Sequence, residues 1–83
     1  MKKKNISKFF GKIDQYRDEK TGVKKFALYR PTGFIFGIKP IYNKNLRECS
    51  RYEKYDDCKS SILRKYKSQN LFFKKNKIYR IIK

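Results

Sequence analysis

The chain has 83 residues and carries 24 Lys and Arg against 7 Asp and Glu, a formal charge of +17 at pH 7. A chain this short holds one domain and buries only about 60% of its unfolded surface, which excludes separate cofactor and substrate modules. His is absent, which removes the commonest general base and the usual zinc ligand, and no long apolar run is present to cross a membrane as a helix.

High charge and a mean hydropathy of −0.93 lean toward disorder. Leu, Ile, Val and Phe nevertheless make up 21 of the 83 residues, more than the roughly 20% below which chains stay unfolded. Strand formers (Val, Ile, Phe, Tyr, Thr) number 26 against 11 Ala, Leu, Met, Glu and Gln. This balance predicts an α+β fold: a small antiparallel sheet of about three to five strands with one kinked or two short helices between residues 46 and 69.

In chain order, residues 1–8 read as a basic flexible arm and residues 9–83 as a single domain. The arm opens with lysines, but Ser7, Lys8, Gly11, Lys12 and Asp14 interrupt any apolar segment behind them. No signal peptide is expected, and the chain is assigned to the cytoplasm. Residues 9–17 form a weak first strand, and the polar run Asp18-Glu19-Lys20-Thr21-Gly22 is a turn whose Gly supplies positive φ. Residues 23–30 alternate as a strand, and Pro31-Thr32-Gly33 reads as a second turn. Phe34-Ile35-Phe36-Gly37-Ile38 carries large side chains on both faces and predicts a central strand, stopped by Pro40.

Residues 46–69 lack Gly and Pro and form the best helical window. Leu46 and Cys49 suit a first turn, while Tyr55, Cys58, Ile62 and Tyr66 recur on a second face. Asp56 or Asp57 is placed to cap a helix reaching about Lys67. Residues 71–73 and 78–82 then flank Lys74-Lys75-Asn76-Lys77 as a terminal hairpin. Cys49 and Cys58 are too few for a disulfide scaffold and are expected as reduced thiols.

The charge is uneven. Residues 1–30 hold 10 bases and 3 acids, residues 31–55 hold 5 and 2, and residues 56–83 hold 9 and 2. Each end therefore carries +7 and the middle +3, and no acid follows Asp57. Six of the seven tyrosines adjoin a Lys or Arg, the pairing that offers a ring to an unpaired base and a cation to its phosphate. Candidate phosphate contacts are Arg17, Lys24, Lys25, Arg30, Arg64, Lys65, Lys67, Lys74, Lys75, Lys77 and Arg80; candidate stacking residues are Tyr29, Tyr66 and Tyr79.

Catalytic sets are sparse. Glu53 and Asp57 share a helix face, and Asp18-Glu19-Lys20 has the Asp-x-Lys spacing of a nuclease half-site, but it lies in a turn with no second acid nearby. Ala27-Leu28-Tyr29 and Phe34-Ile35-Phe36-Gly37 resemble a degraded form of the two strand motifs of GIY-YIG nucleases. That resemblance implies Tyr29 as the reacting hydroxyl and Arg47 or Arg51 as the phosphate stabiliser. Ala27 stands where the family has Gly, the connection is short, and no Glu follows Glu53 to hold a metal. The predicted order of strands and helix is also similar to integrase arm-binding domains.

The expected function is thus a non-enzymatic, cofactor-free and metal-free nucleic-acid-binding protein that contacts the phosphate backbone of DNA, RNA or a ribonucleoprotein. The alternative is a small phage or mobile-element interaction protein that inhibits host machinery by binding an acidic protein or ribonucleoprotein surface, anchored by Phe9-Phe10 or Leu71-Phe72-Phe73. Neither reading involves a membrane.

Overall fold

The computed structural model describes residues 2–82 and shows an α+β domain built from two antiparallel three-stranded sheets and two helices. The elements are β1 (Lys2–Asn5), α1 (Ser7–Phe10), β2 (Lys12–Arg17), β3 (Lys24–Ile35), β4 (Lys39–Tyr52), α2 (Tyr55–Lys65), a 3-10 turn (Lys67–Gln69), β5 (Leu71–Lys74) and β6 (Lys77–Ile82). One sheet runs β2-β3-β4 and the other β1-β6-β5.

The turn expected at residues 18–22 joins β2 to β3. Asp18 accepts from the Lys20 N–H through its side chain and from the Gly22 N–H through its carbonyl, at 2.9 and 2.7 Å, and Gly22 takes φ 74°. The terminal hairpin is also present: Lys75 and Asn76 both have positive φ (49° and 66°) between the facing pair Lys74 and Lys77. Positive φ at both central residues matches the twist of the strands they connect.

Several expectations are corrected. Pro31-Thr32-Gly33 lies inside β3, where Pro31 pairs with Tyr42 amid register shifts. Pairing with β2 ends at Tyr29, so beyond that residue β3 and β4 form a two-stranded ribbon in which proline removes no ladder bond on the open side. Pro40 accordingly lies just inside the start of β4, opposite Phe34, instead of stopping the pairing. Residues 34–38 are the end of that ribbon, not a central strand: Phe36 is 93% exposed and Ile38 65%. The helical window narrows to α2, because residues 46–52 belong to β4, where pairing with β3 outweighs their weak strand propensity.

Lys2–Asn5, assigned to the flexible arm, are instead paired antiparallel with β6, and the weak first strand starts only after α1; of the arm, residue 1 lies outside the described residues. Two local devices make this entry possible. Ser7 extends the pairing with its side chain: its hydroxyl accepts from the Ile78 N–H at 2.8 Å and donates to the Ile78 carbonyl at 3.3 Å. Gly11 then brings the chain against β3 at φ 142°, where a Cβ would meet the Tyr29 carbonyl oxygen at 2.5 Å.

The core is Ile6, Phe10, Leu28, Cys58, Ile62 and Ile78, with Ile13, Phe26, Tyr52, Tyr66, Leu71 and Phe73 packed around it. α2 contributes through the predicted Tyr55, Cys58, Ile62 face, and the Phe26 and Tyr55 rings meet edge to face at 5.9 Å. Asp56 and Asp57 lie in its first turn, but the N-cap is Lys54 and has no side-chain capping bond. The acids therefore act on the helix dipole, as do Arg64 and Lys65 at the other end. Both cysteines are free thiols. Cys58 donates to the Cys49 carbonyl at 3.4 Å, and burial pushes its thiol up to about 11.

Candidate nucleic-acid interface

The β1-β6-β5 sheet has an inner face and an open one. Ile78, Phe73 and Leu71 alternate onto the core side. Strand alternation puts Phe72, Tyr79, Lys3, Lys74 and Lys77 on the opposite face. Phe72 and Tyr79 are direct cross-strand partners with ring centroids 6.4 Å apart, and the Lys3 ammonium lies 4.5 Å from the Phe72 centroid. Both rings are half-buried and the three lysines exposed.

Electrostatically, the two sheets differ. The strands of the β1-β6-β5 sheet contain no Asp or Glu, and none of the ion pairs among the described residues involves them. In the other sheet, several cations are engaged within the protein. Asp14 bridges Lys12 and Lys44 at 3.8 and 3.5 Å. Lys12 lies over Tyr42, Lys44 over Tyr29 and Arg47 over Tyr16, at 4.8, 4.8 and 4.3 Å. The Tyr16 hydroxyl donates to the Ser50 carbonyl. Although burial opposes it, the Gln15 N–H and the two lysine ammoniums hold the Asp14 carboxyl below its ordinary value.

The predicted contact residues are distributed accordingly. Lys74, Lys77 and Tyr79 lie together on the open face, with Lys75 in the adjoining turn. Arg80 pairs across from Lys4 on the other side of the same sheet and donates to Gln69 at 2.9 Å. Arg17 and Lys24 face each other at the distant end of β2 and β3, Arg17 donating to the Gly22 carbonyl at 2.9 Å. Lys25 is tied to Asp18 at 3.0 Å, and that bond raises the ammonium pKa. Arg64 and Lys67 are exposed near the end of α2, whereas Lys65 is bonded to Glu48 at 2.6 Å.

The tyrosines separate in the same way. Tyr29 is only 1% exposed beneath Lys44, so its ring has no face open to a base. That burial also closes the hydroxyl role implied by the GIY-YIG resemblance, and among the described residues no three His, Cys, Asp or Glu side chains come together as a metal site. Tyr66 is half-buried, stacked edge-on to Phe10 at 5.0 Å, and donates to Glu48 at 2.5 Å. Burial first, and that bond second, push its phenol up. Arg30 lies between the same two rings, 4.4 Å from the Phe10 centroid and 5.1 Å from that of Tyr66.

Lys3 and Phe72 complete the open face but are absent from the predicted contacts. Phe72 was legible from alternation, since it shares parity with Lys74 and opposes the two core positions 71 and 73. Lys3 was not, because its face is set only by pairing with the far end of the chain.

No protein-family model matches the sequence, and comparison with curated proteins and with solved structures returns no match.

Proposed function

We propose that the protein is a non-enzymatic nucleic-acid-binding module that holds a single strand on the open face of its β1-β6-β5 sheet. The observation that carries this reading is the Phe72–Tyr79 ring pair set among Lys3, Lys74 and Lys77 in a sheet without carboxylates. Every base has a π face, so two adjacent rings accept successive bases with little regard for sequence, each stack contributing about 1–3 kcal/mol. The lysines meet the intervening phosphates and release condensed counterions. Lys3, held over Phe72 in the free protein, transfers to a phosphate when a base takes its place on the ring. The test is titration of labelled single-stranded and duplex oligonucleotides at about 50 and 200 mM salt. Single strands bind more tightly, with strong salt dependence; no binding at the lower salt refutes the proposal.

A second reading, an interaction protein that binds a host protein surface, is favoured by the ribbon end. There Ile35, Phe36, Ile38 and Ile41 are 46, 93, 65 and 45% exposed. Apolar side chains gathered at a projecting turn suit a protein pocket. A partner captured from lysate that survives nuclease treatment and is lost with Phe36→Ser supports this reading; a partner that leaves with the nucleic acid does not.

A further inference from the structure

A cavity of about 270 Å³ opens where the edge of the β1-β6-β5 sheet meets α1 and β3. Its polar lining is Lys4, Arg30, Arg80 and Gln69, and its apolar walls include Phe9 and Phe10. It lies apart from the open face, because Lys4 and Arg80 share the opposite parity of their strands from Lys3 and Tyr79.

Three features define its chemistry. The lining contains three cations and no carboxylate, although Glu48, bonded to Tyr66 behind Arg30, partly offsets the Arg30 charge. Arg30 has a buried Nε–H without an acceptor, although its guanidinium is fixed between the Phe10 and Tyr66 rings. Its Nε is closed to solvent, so Arg30 meets the cavity through the rest of its guanidinium. Of the other two cations, Arg80 is held by its 2.9 Å bond to Gln69, and Lys4 stands across from it on the neighbouring strand. Finally, Phe9 is 61% exposed and lies against Phe34, ring centroids 5.6 Å apart.

We propose that this cavity binds a phosphomonoester carried by a nucleoside. The phosphate accepts from the terminal N–H groups of Arg30 and from the Arg80 and Lys4 donors, and the base rests on the exposed Phe9 ring. A guanidinium presents the planar fork of donors that phosphate oxygens match, and the dianionic monoester is better suited to three cations than the single charge of a phosphodiester. The volume of about 270 Å³, just under the range of about 300–1,000 Å³ typical of small-molecule sites, suits the phosphate and sugar, with the base outside on Phe9. The ligand has two sources, the phosphorylated end of a strand or a free mononucleotide. The site does not depend on the open face being a nucleic-acid surface.

The experiment is an NMR titration of the full chain with uridine 5′-monophosphate, following the Arg30 Nε–Hε resonance. Uridine and sodium chloride, the latter at matched ionic strength, are the comparators. The expected result is a saturable shift of that resonance with the nucleotide alone. Arg80→Gln and Lys4→Gln, both at exposed positions, each weaken binding about tenfold. A shift that chloride reproduces, or that persists unchanged in both variants, overturns the proposal. Oligonucleotides with a 5′-phosphate or a 5′-hydroxyl then identify the source: an Arg80-dependent preference for the phosphorylated strand supports an end-binding site. Saturable nucleotide binding without that preference supports a free nucleotide. Nucleotide binding in a protein that binds neither oligonucleotide supports the cavity while refuting the function proposed for the open face.

Discussion

Replacing Lys3, Lys74 and Lys77 together by Gln removes three charges from one face of the β1-β6-β5 sheet without entering the core. All three side chains are exposed and none is in an ion pair. Surface changes of this kind alter stability by about 0.5 kcal/mol or less, and separating the facing Lys74 and Lys77 removes a like-charge cross-strand pair. For single strands, each phosphate contact adds about 0.7 to the slope of log affinity against log salt, so losing three flattens it by about 2. From 50 to 200 mM salt, the wild-type chain then loses about twentyfold more affinity than the variant. Fluorescence anisotropy of a labelled single strand across that salt range measures both slopes. A second variant, Lys20, Lys39 and Lys54 to Gln, makes the same change in net charge at exposed positions off this sheet and is expected to leave the slope within about 0.5 of wild type. Equal flattening by the two variants would show that total charge, and not this face, governs binding.

Other expectations concern stability. Gly11→Ala places a Cβ 2.5 Å from the Tyr29 carbonyl oxygen at φ 142°, which costs about 3 kcal/mol in urea unfolding; a loss below about 1 kcal/mol contradicts the close approach. Ile62→Ala at a fully buried position should cost about 2–5 kcal/mol, whereas Leu46→Ala, with Leu46 60% exposed, changes the urea midpoint little. Phe36→Gly relieves a left-handed backbone (φ 52°) at a side chain that is 93% exposed, so it raises stability by about 1 kcal/mol; a lowered Tm refutes the turn geometry. Burial raises the Glu48 carboxyl, but donation from Lys65 and Tyr66 more than offsets it, leaving its pKa below the ordinary value. Its contribution is therefore full above the ordinary carboxylate range and lost as pH falls through the folded value. From about pH 5 downward, Glu48→Gln should show a shallower loss of stability than wild type in urea titrations at successive pH values.

Local chemistry made several elements legible. The Asp18-to-Gly22 turn, the helical face Tyr55, Cys58, Ile62 and the basic terminal hairpin each depend on residues close together in sequence. Elsewhere a long-range pairing overrides a local preference. Proline within a strand is tolerated in β3 because β2 stops at Tyr29, and the apolar run at residues 34–38 marks an exposed ribbon end because no third strand reaches it. The candidate site was partly visible for the same reason: Lys74, Lys77 and Tyr79 sit in a local hairpin, while Tyr29 is closed off by Lys44 from the next strand.

By itself, the sequence determined an acid-poor, strand-rich domain with +7 at each end and an apolar middle. Only the tertiary structure decided that those two ends are neighbours, because β1 pairs antiparallel with β6 across nearly the whole length of the chain. No local pattern encodes such a closure; it follows from burying Ile6, Phe10 and Ile78 in one core and satisfying the β6 backbone on both edges. Joined in this way, Lys3 of the first strand and the rings of the last two make one surface, and the overall charge acquires a direction.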